Sequence, residues 1–193
     1  MGDSVSQIEN QLLVMAAQDA NPAAMDELVC RWQKKLWCYV YRLTNDEHGA
    51  WDITQECWLA IIKGIRKLDD PASFKAWAYR IATNESIDWM KRRSKYRHIH
   101  SELIQSGCDQ EQEDQQIREM VSGLKEVSRV VLGLYYFEQL SVGEISEVLK
   151  VPVGTVKSRL FKARADLKQL WERLRDEPYR REENEKRTAQ GDH

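Results

Sequence analysis

Met25, Leu28, Val29, Trp32, Leu36, Val40 and Leu43 recur at three- and four-residue steps, which predicts one long amphipathic helix. Pro22 stands near its start, where a missing N–H costs nothing. Ile53, Cys57, Trp58, Ile61 and Ile65 form the apolar face of a second helix beginning near Ala50. After Pro71 the period resumes through Phe74, Trp77, Ile81 and Trp89, a third helix with Ser73 as its expected cap. That helix ends in the basic run Lys91, Arg92, Arg93, Lys95 and Arg97. The pattern then lapses. Residues 101–116, SELIQSGCDQEQEDQQ, hold five acids, five Gln and no base, and read as a linker. Helical period returns in Ile117, Met120, Val121 and Leu124, and again in Val127, Val130, Val131, Leu134 and Tyr135. Ser141 with Glu144 is a capping box opening a further helix, on which Ile145, Val148 and Leu149 are apolar. Pro152 drives Val151 out of the helical region. The last helix opens at Gly154 and Thr155 and runs to about Leu174, with Val156, Leu160, Leu167, Leu170 and Trp171 facing inward. The expected fold is all-α: two small helical domains, 1–97 and 116–175, joined by an acidic flexible linker, 98–115. The second is a helix-turn-helix domain, and the charged tail 176–193 is expected to be disordered.

Composition narrows the classes. Two units within 193 residues can each bury a usable core. With only nine Gly and four Pro, and no GxGxxG or GxxxxGK[ST], a β-sandwich or a glycine-cradled nucleotide site is not expected. Six of the seven Trp lie in the first half, so its core reads as aromatic-rich. Cys30, Cys38, Cys57 and Cys108 show no CxxC and no His at ligand spacing. Cys30 and Cys38 read as buried thiols on a helix, no metal or cofactor is expected, and the compartment reads as reducing cytosol. No stretch reaches the ~18 apolar residues of a membrane span. Residues 1–10 have neither the basic start nor the apolar stretch of a secretory leader.

Net charge, −2, hides the main clue. Residues 63–100 carry 10 basic and 4 acidic groups (+6), and 150–175 carry 8 and 2 (+6). Between them 101–127 carry 2 basic and 7 acidic groups (−5), and 1–62 carry 4 and 9 (−5). Either basic block alone is an ordinary solvated helix face. Two in a near-neutral chain fit a polyanion touched at two places, with acidic surface left for a protein partner or self-masking.

The run 141–164, SVGEISEVLKVPVGTVKSRLFKAR, has a short helix, a tight break and a longer basic helix, which is a helix-turn-helix pattern. The small Ser146 permits a close crossing. Thr155, Ser158, Arg159 and Lys162 share one face of the last helix, opposite Val156, Leu160 and Ala163. Such a donor-rich face suits major-groove bases and phosphates, although a helical hairpin with a solvated basic face has the same spacing.

Longer stretches carry a resemblance. EISEVLKVPVGTVKSRLFKARADL is similar to the −35 recognition motif of extracytoplasmic-function (ECF) sigma factors of the sigma-70 family, and LKEVSRVVLGLYYFEQLS to the helices that precede it. AWDITQECWLAIIKGI resembles that family's core-polymerase docking helix, and SFKAWAYRIATNESIDWMKRRSK its −10 recognition and melting helix. The likeness covers roughly residues 10–95 and 116–174.

The resemblance implies a factor that binds core RNA polymerase through its β and β′ subunits, recognises −35 DNA as duplex and traps the −10 element as a melted strand. A stand-alone helix-turn-helix regulator is the competing reading, and neither is an enzyme. His48, His98, His100 and His193 form no HExxH, and no nucleophile–base pair is located. Asp52, Gln55 and Glu56 match the docking motif. As an i, i+3, i+4 stripe opposite Ile53, Cys57 and Ile61 they can face a basic partner without disturbing a core. Asn84 matches the asparagine that holds an unstacked −10 base; an amide offers both a donor and an acceptor to a base edge. Lys91, Arg92 and Arg93 are expected on phosphates. Tyr79 is either a stacking platform for a displaced base or core, and Trp77 is read as core. Thr155, Lys157, Ser158, Arg159, Phe161 and Lys162 match the −35 reading helix; Phe161 either meets a thymine methyl or caps the domain core. The acidic linker would imitate nucleic acid in the polymerase channel, and an anti-sigma partner is expected from the same likeness. The chain departs from the family's usual residues at Asn21–Pro22, Trp58, Ala78 and Lys150, the last in a turn where Gly or Asn adopts a left-handed conformation more easily.

Overall fold

A computed structural model describes residues 2–96 and 123–189, with side chains placed for 7–93 and 123–173. The linker 98–115, Arg97, and the expected helix through Ile117, Met120 and Val121 lie outside the described residues. All regular structure among the described residues is helical, as the periodicity predicts. Helices α1 (Gly2–Gln18), α2 (Pro22–Thr44), α3 (Glu47–Gly64) and α4 (Phe74–Tyr96) build the first bundle. Helix α5 (Glu126–Leu132), a π-helical segment (Gly133–Phe137), α6 (Val142–Leu149) and α7 (Val153–Ala189) build the second.

Helix α1 is the element that the hydrophobic pattern does not single out. It is held by Val14 and Ala17, both buried, and by two polar ties. The Trp32 indole N–H donates to Asn10 Oδ1 at 2.8 Å, and Gln18 Nε2 donates to the carbonyls of Ile65 and Leu68 at 3.0 and 2.7 Å. Asn21 caps α2 by accepting from the Ala24 N–H, which is the use of the Asn21–Pro22 departure. Asp46 does the same for α3, accepting from Gly49 N at 2.6 Å and starting that helix three residues ahead of the expected Ala50.

The cap expected at Ser73 is a correction. Pro71–Ser73 form a 3₁₀ turn capped by Asp70, which accepts from Ala72 N at 2.9 Å. The Ser73 hydroxyl donates to the other oxygen of the same carboxylate. Asp70 precedes a proline that lacks an N–H, so it sits where two amides converge. Cys30 is exposed, against expectation, whereas Cys57 is buried and burial pushes its thiol up to about 12.

The first core is aromatic, as expected. Trp32 meets Phe74 and Tyr79 edge-on at 5.3 and 6.2 Å, and Tyr39 meets Tyr79 at 5.1 Å. In the second bundle Ser141 and Glu144 form the expected reciprocal box, with bonds of 3.2 and 2.8 Å. Lys150 takes the left-handed conformation, φ 51° and ψ 45°. The Ser146 hydroxyl bonds across that turn to the Val151 carbonyl at 2.6 Å. The Pro152 carbonyl receives the N–H groups of Thr155 and Val156, which begins α7.

Two expectations about the second half change. The single helix read through Tyr135 widens into a π-helical turn from Gly133, closed by Glu138 N–H on the Gly133 carbonyl at 3.1 Å. Helix α7 does not stop near Leu174 to leave a disordered tail, but continues to Ala189. The segment 176–189 is rich in Glu, Arg and Lys, good helix formers that need no apolar face to continue an existing helix. Nor are the two bundles independent: α4 packs on α6, and α2 meets α5 and the π-helical turn.

Candidate docking and nucleic-acid interfaces

The docking stripe forms as its spacing predicts. Asp52, Gln55 and Glu56 are exposed on α3, while Ile53, Thr54, Cys57 and Trp58 between them are buried. They line one wall of a cleft of about 510 Å³, whose other wall is α4 with Glu85, Trp89 and Arg92. Around that cleft the exposed apolar residues Trp51, Leu59 and Ile62 continue α3's outer surface. The stripe thus lies in a mixed apolar and acidic surface of the kind that forms protein contacts.

What fixes the two walls is a knot at the start of α3. The Asp46 carboxylate pairs with the Arg93 guanidinium, whose carbon lies 4.8 Å from the Trp89 ring centre. Burial alone raises the Asp46 carboxyl, but Arg93 and the Gly49 amide outweigh it and leave the group below the ordinary carboxylate range. Gly49 is buried directly against the Trp89 ring, so a Cβ there would fall inside the indole. Gly49→Ala is therefore expected to lower stability by roughly 1–3 kcal/mol through overpacking. Thermal melting reads this, and an unchanged midpoint would mean Trp89 does not hold α3 to α4.

The expected −10 residues divide into four situations. Asn84 and Lys91 are exposed and seven residues apart, so they share one face of α4; Lys91 Nζ lies 3.7 Å from Asp88. Arg92 is exposed but turns about a quarter of the helix away, into the docking cleft. Arg93 is a correction, since its charge is spent on Asp46 and Trp89 rather than offered to a phosphate. Tyr79 is the second correction. It is 1% exposed, its ring lies between Trp32 and Tyr39, and its hydroxyl donates to Glu138, so no base can stack on it. Desolvation first, then the Glu138 charge, raise its phenol well above the usual value. Trp77 is half-buried against the core, 6.0 Å from Phe74, and closes over Gly64.

On α7 the reading face is well formed. Val156, Leu160 and Ala163 are buried, while Lys157, Ser158 and Lys162 are exposed and Thr155 and Arg159 are half-exposed. The Ser158 hydroxyl donates to the Thr155 carbonyl at 2.9 Å. Phe161, left open between core and groove, is 77% exposed and caps no core. An apolar ring thus stands beside four donor-bearing side chains, which suits a groove edge that carries a methyl group.

Two residues at the junction escape the sequence reading, Arg42 and Glu138. Each is a lone charge in an aromatic run, WCYVYRL and LGLYYFEQL, which is the signal that marks them. No group of His, Cys, Asp or Glu able to hold a metal ion occurs among the described residues, and no described helix is long and apolar enough to cross a membrane.

Comparison with known proteins agrees with this layout. The family model for sigma-70 region 2 matches residues 28–96, and that for sigma-70 region 4 matches 114–167. The ECF RNA polymerase sigma factor SigW of Bacillus subtilis is 29% identical over 171 residues, covering 79% of this chain and 90% of that one. The RNA polymerase sigma-H factor of Pseudomonas aeruginosa is 27% identical over 179 residues, 83% of this chain and 92% of that one. Among solved structures, CnrH in complex with the cytosolic domain of CnrY superposes with a TM-score of 0.67 at 25% identity, covering 84% of this chain and 97% of that chain.

Proposed function

This chain belongs to the ECF branch of the sigma-70 family, a sigma factor directing promoter recognition, and we propose how its surfaces divide that work. The stripe Asp52, Gln55 and Glu56 takes core polymerase, gripping a coiled coil of the β′ subunit, with β as the further contact. The exposed face of α4, with Asn84 and Lys91, holds the melted −10 strand: Asn84 on an extruded base, Lys91 on the backbone. Arg92 stands between these surfaces and serves the docking cleft. Thr155, Lys157, Ser158, Arg159, Phe161 and Lys162 read the −35 duplex. The chain breaks no covalent bond. Its contacts offset the unstacking of bases, a few kcal/mol per step. Working on polymerase and DNA, it acts in the cytoplasm at the nucleoid, and an anti-sigma factor is its natural antagonist, as CnrY is the partner of CnrH in the solved complex.

The carrying observation is the pair of exposed surfaces, a polar docking stripe and a donor-rich reading helix, on two bundles that separately match regions 2 and 4. A stand-alone regulator would leave the whole first bundle without a role. Pull-down of core polymerase followed by run-off transcription tests the proposal. Tight duplex binding without polymerase, and no stimulation of transcription with it, would overturn it.

The reading helix carries its own prediction. Arg159→Ala or Lys162→Ala should weaken −35-dependent transcription by roughly 1–3 kcal/mol at the preferred sequence and less at altered ones. Equal losses across all −35 variants would make both residues phosphate contacts only.

A further inference from the structure

The junction between the bundles contains a buried polar chain that promoter reading does not use. Glu138, 9% exposed, follows the π-helical turn of the second bundle. Its carboxylate accepts from Arg42 of α2 at 2.6 Å on one oxygen and from the Tyr79 hydroxyl of α4 on the other. Behind Tyr79, the Thr83 hydroxyl donates to the Tyr79 carbonyl at 2.6 Å, so the Tyr39 hydroxyl must be the donor to Thr83 at 2.7 Å. Three more contacts cross at the same place. The Arg42 guanidinium lies 4.5 Å from the centre of the Phe137 ring. Arg129 donates at 2.7 Å to the Leu43 carbonyl, one of the last acceptors of α2. Gly133 comes so close to Tyr39 that a Cβ would stand 3.4 Å from its ring.

The backbone here is also unusual. A π-helical turn is rare and tends to mark functional sites, and Gln139 beside it is a non-glycine residue at φ 52°. The closure has a consequence for DNA. Glu147 and Val148 of α6 share a cleft of about 290 Å³ with Trp77 and Arg80 of α4. Arg80 and Trp77 lie four and seven residues before Asn84, on the same side of the helix. The second bundle therefore sits over the amino-terminal end of the face assigned to the melted strand, and brings a carboxylate there.

We propose that Arg42, Tyr79 and Glu138 form an intramolecular latch that holds the second bundle on the −10 face of the free chain and must be broken when the factor is loaded onto core polymerase. The latch rests on reading α4 as the −10 helix only for its consequence, not for its existence. A closed population lowers the apparent affinity for any partner that requires the open form by the fraction that is open.

The test uses the full-length chain and core polymerase. Glu138→Gln removes the charge and keeps the shape; Arg42→Gln removes it from the other bundle, so a fold defect in one variant leaves the other to decide. Both are expected to raise the radius of gyration in small-angle scattering, at unchanged helicity, and to tighten apparent core binding on the order of tenfold. Adding Asp52→Arg and Glu56→Arg to Glu138→Gln should leave the chain expanded yet unable to bind core, which separates a failure of the latch from a failure of the docking assignment. An unchanged radius of gyration in whichever variant folds, or core binding no tighter than wild type despite expansion, would overturn the proposal.

Discussion

Asp52→Arg with Glu56→Arg is expected to abolish co-purification with core polymerase while leaving helicity and thermal melting near wild type. Both side chains are exposed, and their buried neighbours Ile53 and Cys57 are untouched. Exposed substitutions of this kind cost the fold within about 0.5 kcal/mol. At the interface the balance is different, because reversing two charges places like against like on a basic partner. Such juxtapositions cost several kcal/mol, and each 1.4 kcal/mol is about tenfold in affinity. The loss should therefore exceed about a hundredfold. Asp26→Arg, on an exposed position at the start of α2, is the charge control and should bind normally. Undiminished co-purification of the double variant would remove the stripe from the docking surface.

Asn84→Ala is expected to lower open-complex formation without lowering core binding or −35 binding. The amide is exposed on α4, one side turn from the basic end of the helix. It can hold an extruded base edge with one donor and one acceptor, and losing that contact costs roughly 1–3 kcal/mol, or at least about fivefold in opening. The defect should shrink on a promoter whose −10 element is supplied as a mismatched bubble, since the unstacking cost is then partly met. Permanganate footprinting on matched and bubble templates measures both. Equal opening by Asn84→Ala and wild type on the paired template would make the amide structural.

The features legible in the sequence are those fixed by a few neighbouring residues. Ser141 and Glu144 specify their own box, Pro152 ends one helix and starts the next, and the three-and-four spacing of Asp52, Gln55 and Glu56 settles their exposure. What was not legible depends on residues far apart in sequence. Tyr79 looks like an aromatic on a DNA-facing helix until Glu138, 59 residues away, takes its hydroxyl. Arg93 looks like part of a phosphate-binding run until Asp46, 47 residues earlier, claims it. Local pattern sees a charge or a ring and its helix face. It does not see which partner a different element will bring, and both corrections have that cause.

Helix α7 adds a mechanical property to the −35 contact. Its first turns hold Thr155, Ser158 and Lys162, and the same 37-residue helix continues to Ala189. At 1.5 Å per residue that is a rod of about 55 Å. Pivoted at the groove, a tilt of about 10° carries its far end roughly 10 Å through space, by the same length. The carboxy-terminal part of the rod therefore works as a pointer. A fluorophore placed near Ala189 would report, magnified, any change in how the reading helix seats on different promoters, long before such a change registered as a difference in affinity.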